Sequence, residues 1–177
     1  MKRFLLSFWA LLSMFFVGAQ DTTAVQLSVG QKRINKDEVA ITITAKPVKP
    51  GVSLYALQKS PNDAVFSQVN FDSSLTSYLK GGISEKGNIQ SRIDSTLSLN
   101  VAFVTDSVQW VQTLKIAETD TVLVKGTVAY MFNVGEEYPS VEKEFRLVIM
   151  PGEGKGAKQP LQPADLTARA NPWYGYF

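Results

Sequence analysis

Along most of this chain apolar residues recur at every second position. Val25, Leu27 and Val29 alternate with Gln26, Ser28 and Gly30, and after the polar segment 31–37 the residues Val39, Ile41, Ile43 and Ala45 alternate with Ala40, Thr42 and Thr44. A period of two marks a strand with one buried face, and the β-branched residues suit it. Pro47, Pro50 and Gly51 close that run with a turn, because proline fixes φ and lacks a donor. Val52 to Leu57 and Ala64 to Phe71 read as extended on either side of the break at Pro61-Asn62-Asp63. From Asp72 to Asp94 the alternation weakens, which predicts a mostly irregular stretch with one short strand near Ile83 or Ile89. Leu97, Leu99, Val101 and Phe103 then alternate, as do Val108, Trp110, Gln112, Leu114 and Ile116 after an Asp106-Ser107 turn. These two runs are expected to pair as a hairpin.

The strongest signal is Thr121 to Met150, TVLVKGTVAYMFNVGEEYPSVEKEFRLVIM. Its apolar runs, Val122 to Phe132 and Val141 to Ile149, flank a polar tip, Asn133 to Ser140, with one Gly and one Pro; this predicts a β-hairpin. The whole pattern, eight or nine short strands spaced by turns with no helical period, predicts an all-β fold, an antiparallel immunoglobulin-like β-sandwich.

The two ends differ from this body. Met1 to Ala19 has a basic start, an apolar centre and small residues at its close, the form of a cleaved secretory signal peptide. The expected organisation is a signal peptide over 1–19, a sandwich domain over 20–150 and a Gly/Pro-rich linker or C-terminal tail over 151–177. Trp173, Tyr174, Tyr176 and Phe177 cluster at the far end. Such aromatics either dock on the domain or mark membrane proximity.

Composition narrows the chemistry. The 177 residues are 45% hydrophobic and 19% charged, which fits one folded domain. Removing Lys2 and Arg3 with the signal leaves 16 basic residues against 16 acidic ones, so no electrostatic footprint for nucleic acid remains. The chain has neither Cys nor His. That excludes Ser/His/Asp and Cys/His catalysis, disulfide exchange and thiolate metal sites, and it disfavours zinc and copper. No catalytic residues, metal ligands or cofactor are expected. Asp94, Asp106 and Asp120 read as solvated turn acids, and Glu136-Glu137 as a solubilising tip. Trp110 reads as a core residue rather than a sugar platform.

Two stretches resemble a known family. Gly51-Val-Ser-Leu-Tyr55 after a Lys/Pro turn, and Gly126-x-Val-x-Tyr130-Met131 followed by a short tip, Pro139 and Glu144-Phe145, are similar to the N-terminal periplasmic domain of the thiol:disulfide interchange protein DsbD family. The resemblance implies an immunoglobulin-like sandwich that receives electrons from a membrane domain and passes them to periplasmic oxidoreductases through two hairpin cysteines. Asn133 stands where the first cysteine would be and Tyr138 where the second would be, while Val52 and Ser53 replace an aromatic-His pair. This chain would therefore be a cysteine-less divergent member: a non-catalytic protein-interaction module in the periplasm or secreted. Tyr130, Phe132, Asn133, Tyr138 and Pro139 would form its partner-binding hairpin. The partners implied are periplasmic thioredoxin-like proteins or a membrane reductase domain. The alternative is an extracellular carbohydrate- or adhesion-type binding domain using Trp110 and the tail aromatics.

Overall fold

The computed structural model describes residues 24–61 and 63–152 and the strand 158–160; the expected signal peptide and most of the expected tail lie outside the described residues. In chain order the strands are β1 (Val25–Asn35), β2 (Glu38–Pro47), β3 (Ser53–Tyr55), β4 (Gln68–Phe71), β5 (Leu79–Gly87), β6 (Gln90–Asp94), β7 (Leu99–Val104), β8 (Val108–Lys115), β9 (Val122–Asn133), β10 (Ser140–Ile149) and β11 (Lys158–Pro160). A single 3-10 turn, Ser73–Leu75, is capped by the Asp72 side chain.

Two antiparallel sheets face each other, so the expected all-β sandwich is the fold found. One sheet runs β11-β1-β2-β8-β5 and the other β10-β9-β3-β7-β6, with β4 also pairing with β9. The alternation seen in the sequence decides what lies between them. Val39, Ile41, Ile43 and Ala45 of β2 and Val108, Trp110 and Leu114 of β8 point inward from the first sheet, meeting Leu54, Val104, Val124, Val128, Tyr130 and Phe132 of the second. Burying each large apolar side chain contributes about 1.5 to 3 kcal/mol, and this shared core holds the layers together.

Three expectations change. The first strand does not end at Gly30: its polar continuation stays paired with β2 as far as Asn35, opposite Glu38. The stretch from Asp72 to Asp94 is not mostly irregular, since it contains β5 and β6. Both are outer strands of their sheets, with few buried positions, and β5 is interrupted between Lys80 and Ser84 beside Gly81 with φ +68. Edge strands need less apolar patterning, so their signal is weak. Finally, β7 and β8 do not pair: β7 lies between β3 and β6, and β8 between β2 and β5. The short connection carries the chain from one layer to the other, with Val104 and Val108 both buried in the shared core. Periodicity specifies which face of a strand is buried and leaves its neighbour open.

Candidate functional site

The long hairpin expected from the sequence is present, with Val122 opposite Ile149 and Met131 opposite Ser140. The same register continues into the tip. Val134 bridges Glu137 with bonds in both directions, of 3.0 and 3.1 Å, around Gly135 with φ +63. Glycine with positive φ at the first central position of a two-residue loop is the type II′ arrangement, whose twist matches the flanking strands. The Phe132 N–H donates to the Pro139 carbonyl at 3.2 Å. Asn133 therefore stands directly opposite Tyr138, in a pair without cross-strand backbone bonds of its own, where side chains come closest.

Alternation along β9 divides the expected site residues between two faces. Tyr130 and Phe132 point into the core, their rings stacked at 6.0 Å, and burial pushes the Tyr130 hydroxyl up to about 12. Asn133 and Tyr138 lie on the opposite, outer face of the sheet. Asn133 is 9% exposed and its Nδ2 donates to the Gly135 carbonyl at 2.9 Å, closing the turn. Tyr138 and Pro139 are partly exposed, while Val134, at 40%, is the tip's large exposed apolar residue.

Beneath the tip, the outer face carries a small second core. Tyr55, Val101 and Phe103 are buried there, with Val65, Met131 and Tyr138 packed against them. Tyr55 of β3 is opposite Phe103 of β7, and the ring of Tyr138 stacks on Tyr55 with centroids 6.4 Å apart. The Arg92 guanidinium lies 4.3 Å from the Phe103 ring centroid, a cation–π contact. Burial, reinforced by the Asp94 charge, raises the Tyr55 hydroxyl above its ordinary range.

Asp94 ties this cluster to the tip. Its Oδ1 accepts from the Thr96 N–H at 3.0 Å, the Leu97 N–H at 3.1 Å and the Tyr138 hydroxyl at 2.9 Å. The Leu97 N–H, followed by the Tyr138 hydroxyl and the Thr96 N–H, holds the carboxyl below the usual carboxylate range. Asp94 is thus not a solvated turn acid: it is 6% exposed and organises the β6–β7 turn, where Ser98 takes a positive φ of 54. The Asp94-Ser-Thr-Leu97 order, an acid followed by two backbone donors it reaches locally, is the sequence signal that identifies such a turn.

A second acid that the pattern does not single out is half-buried, with its side chain largely covered. Glu85 of β5 accepts from the Trp110 Nε1–H at 3.1 Å and the Leu57 N–H at 2.9 Å, and Lys59 Nζ lies 3.5 Å from its other oxygen. Trp110 is 1% exposed, so it offers no platform for a sugar ring. Among the described residues no group of three or more acidic side chains is arranged to hold a metal ion. The tip can present a rigid aromatic and apolar surface, and it holds no sulfur nucleophile because the chain has no cysteine.

No family model matches the chain, and no curated protein sequence matches it. Solved structures align with the chain at low identity. The N-terminal domain of Neisseria meningitidis DsbD in its reduced form aligns at 14% identity over 78% of this chain and 91% of that one, with a TM-score of 0.49. The N-terminal periplasmic domain of ScsB from Proteus mirabilis aligns at 14% identity over 72% of this chain, with a TM-score of 0.50, and this chain spans 47% of it. At such identity the likeness concerns architecture, and at that level this chain is built like about half of the N-terminal periplasmic domain of ScsB.

Proposed function

We propose that this protein is a non-catalytic interaction module of the bacterial cell envelope, a cysteine-less relative of the DsbD N-terminal domain that docks partners through its β9–β10 tip. The observation that carries this reading is the tip itself. Asn133 and Tyr138, the positions where the resemblance expects the two redox cysteines, form a cross-strand pair on a turn packed over an aromatic cluster, and the chain has no cysteine. Thiol–disulfide exchange requires a thiolate, so what remains to such a hairpin is contact.

The partner class is a periplasmic thioredoxin-like protein or a membrane reductase domain, and the expected location is the periplasm, reached by way of the segment 1–19. Tyr138, Pro139 and the exposed Val134 make the contact, while Tyr130, Phe132 and Asn133 hold the tip in shape from beneath. Calorimetric titration with thioredoxin-like proteins of the same envelope tests this. Binding that weakens at least about tenfold in Val134→Asp and Tyr138→Ala, with folding retained by circular dichroism, is the expected result. Absence of binding to every such protein, or binding indifferent to both substitutions, refutes the docking role.

A further inference from the structure

β10 is an outer strand of its sheet. It pairs with β9 over all 10 of its residues with the register unbroken, and among the described residues nothing pairs with its other side. The other outer strands are short or irregular: β11 has 3 residues, β6 has 5, and β5 is interrupted between Lys80 and Ser84. Short strands and bulges keep a sheet edge from pairing with another chain, and β10 has neither.

The register shows which groups are free. The Phe132 N–H bonds the Pro139 carbonyl, and bonded and non-bonded pairs alternate along an antiparallel ladder. Val141, Lys143, Phe145, Leu147 and Ile149 therefore bond β9, while the N–H and C=O groups of Glu142, Glu144, Arg146 and Val148 face the open edge. The side chains of these last four residues are exposed on the outer face.

Their charges are unmatched within the chain. Arg146 stands opposite Lys125 in a pair without its own cross-strand bonds, where side chains come closest and like charges repel. Glu144 stands opposite Thr127, and among the described residues neither Glu144 nor Arg146 makes an ion pair. The complement of each is the other, two places along the same strand.

We propose that the open edge of β10 binds β10 of a second copy of this chain, antiparallel about a twofold axis at Phe145, so that two sheets become one. In this register Glu144 of each copy faces Arg146 of the other, once on either side of the axis, and the outward main-chain groups of residues 142 and 148 meet in the same way. An axis at Glu144 or Arg146 would set that residue against itself, and one at Lys143 would set Glu142 against Glu144. The charge order thus admits one register and rejects its neighbours. Both charges of each pair lie on the one strand, which makes the surface self-complementary, as a twofold contact requires. Phe145, Leu147 and Ile149 are already buried within their own copy, so the contact adds main-chain bonds and exposed ion pairs without a new apolar core. Val134 and Tyr138 lie outside the paired residues, and the contact is independent of what the tip binds.

Sedimentation equilibrium of the purified protein at low ionic strength, up to about 1 mM, tests this. A reversible monomer–dimer equilibrium is expected. Glu144→Arg or Arg146→Glu alone should weaken it at least about tenfold, since each sets like charges opposite one another at both symmetric positions. An equimolar mixture of the two single variants should associate again, as should the double variant. Glu142→Pro should also weaken the dimer while leaving the fold intact by circular dichroism, because the N–H it removes faces the open edge. A protein that stays monomeric throughout, a dimer indifferent to these substitutions, or single variants whose mixture associates no better than either alone overturns the proposal.

Discussion

At Gly126 the Asn70 carbonyl and the Phe145 ring occupy the space a Cβ would need. β4 pairs here, Phe71 opposite Gly126, and the Phe71 and Phe145 rings meet edge to face at 5.5 Å. The Phe145 ring has some freedom, but the Asn70 carbonyl belongs to the sheet and has little. Gly126→Ala is therefore expected to destabilise by about 2 kcal/mol or more, read as a lower urea midpoint with an unchanged slope. Asp94 acts through charge. Its carboxyl titrates below its unfolded value because the native state bonds the ionised form, so its contribution is present above about pH 4 and is lost as pH falls through the native value. Asp94→Asn should be less stable than the parent at pH 7, with the difference shrinking at pH 3; urea unfolding at the two values checks the sign. A constant difference would mean that Asp94 acts through shape alone. Of these residues, Gly126 stood out in the sequence as part of the hairpin motif. Asp94 did not, because a turn acid is the same letter whether its oxygen meets water or a tyrosine 44 positions away.

The β9–β10 hairpin allows a direct test of its tip's geometry. Asn133 and Tyr138 oppose each other as a pair without their own cross-strand bonds, for which Cα atoms lie about 4.5 Å apart, inside the range a disulfide spans. The double variant Asn133→Cys with Tyr138→Cys should close an intramolecular disulfide in air, seen as a mass lower by about 2 Da and the absence of free thiol. A persistently reduced pair would mean that the tip lacks redox-hairpin geometry. The hairpin was legible because both arms alternate over many residues around one Gly- and Pro-containing tip. β5 and β6 were not: an edge strand such as Gln90-Ser-Arg-Ile-Asp94 buries only Asp94 fully, and only the partner strand reveals it. The false pairing of β7 with β8 has a similar origin. Two alternating runs across a short turn look alike whether they share a sheet or face each other across the core.

For the molecule as a whole, Glu85 joins what the sequence describes separately. It stands on β5 of one sheet, accepts from Trp110 on the same sheet, and reaches Leu57, which continues β3 of the other. Glu85→Ala leaves two donors without their acceptor, at about 1 to 3 kcal/mol each when buried. A loss of about 2 to 4 kcal/mol is expected in chemical denaturation, with faster hydrogen exchange at Leu57. A loss under about 0.5 kcal/mol would mean that water replaces the carboxylate at both donors.

The placement of β9 also has a mechanical consequence. One edge is paired with β10 for most of its length, and the other is taken first by β4 and then by β3. A partner pulling on the tip along the hairpin axis would draw β9 and β10 together and load the bonds to β4 and β3 in shear, where they yield collectively rather than one after another. The tip is thus a handle fixed along its shaft: tension on it passes through β9 to the far end of the sandwich.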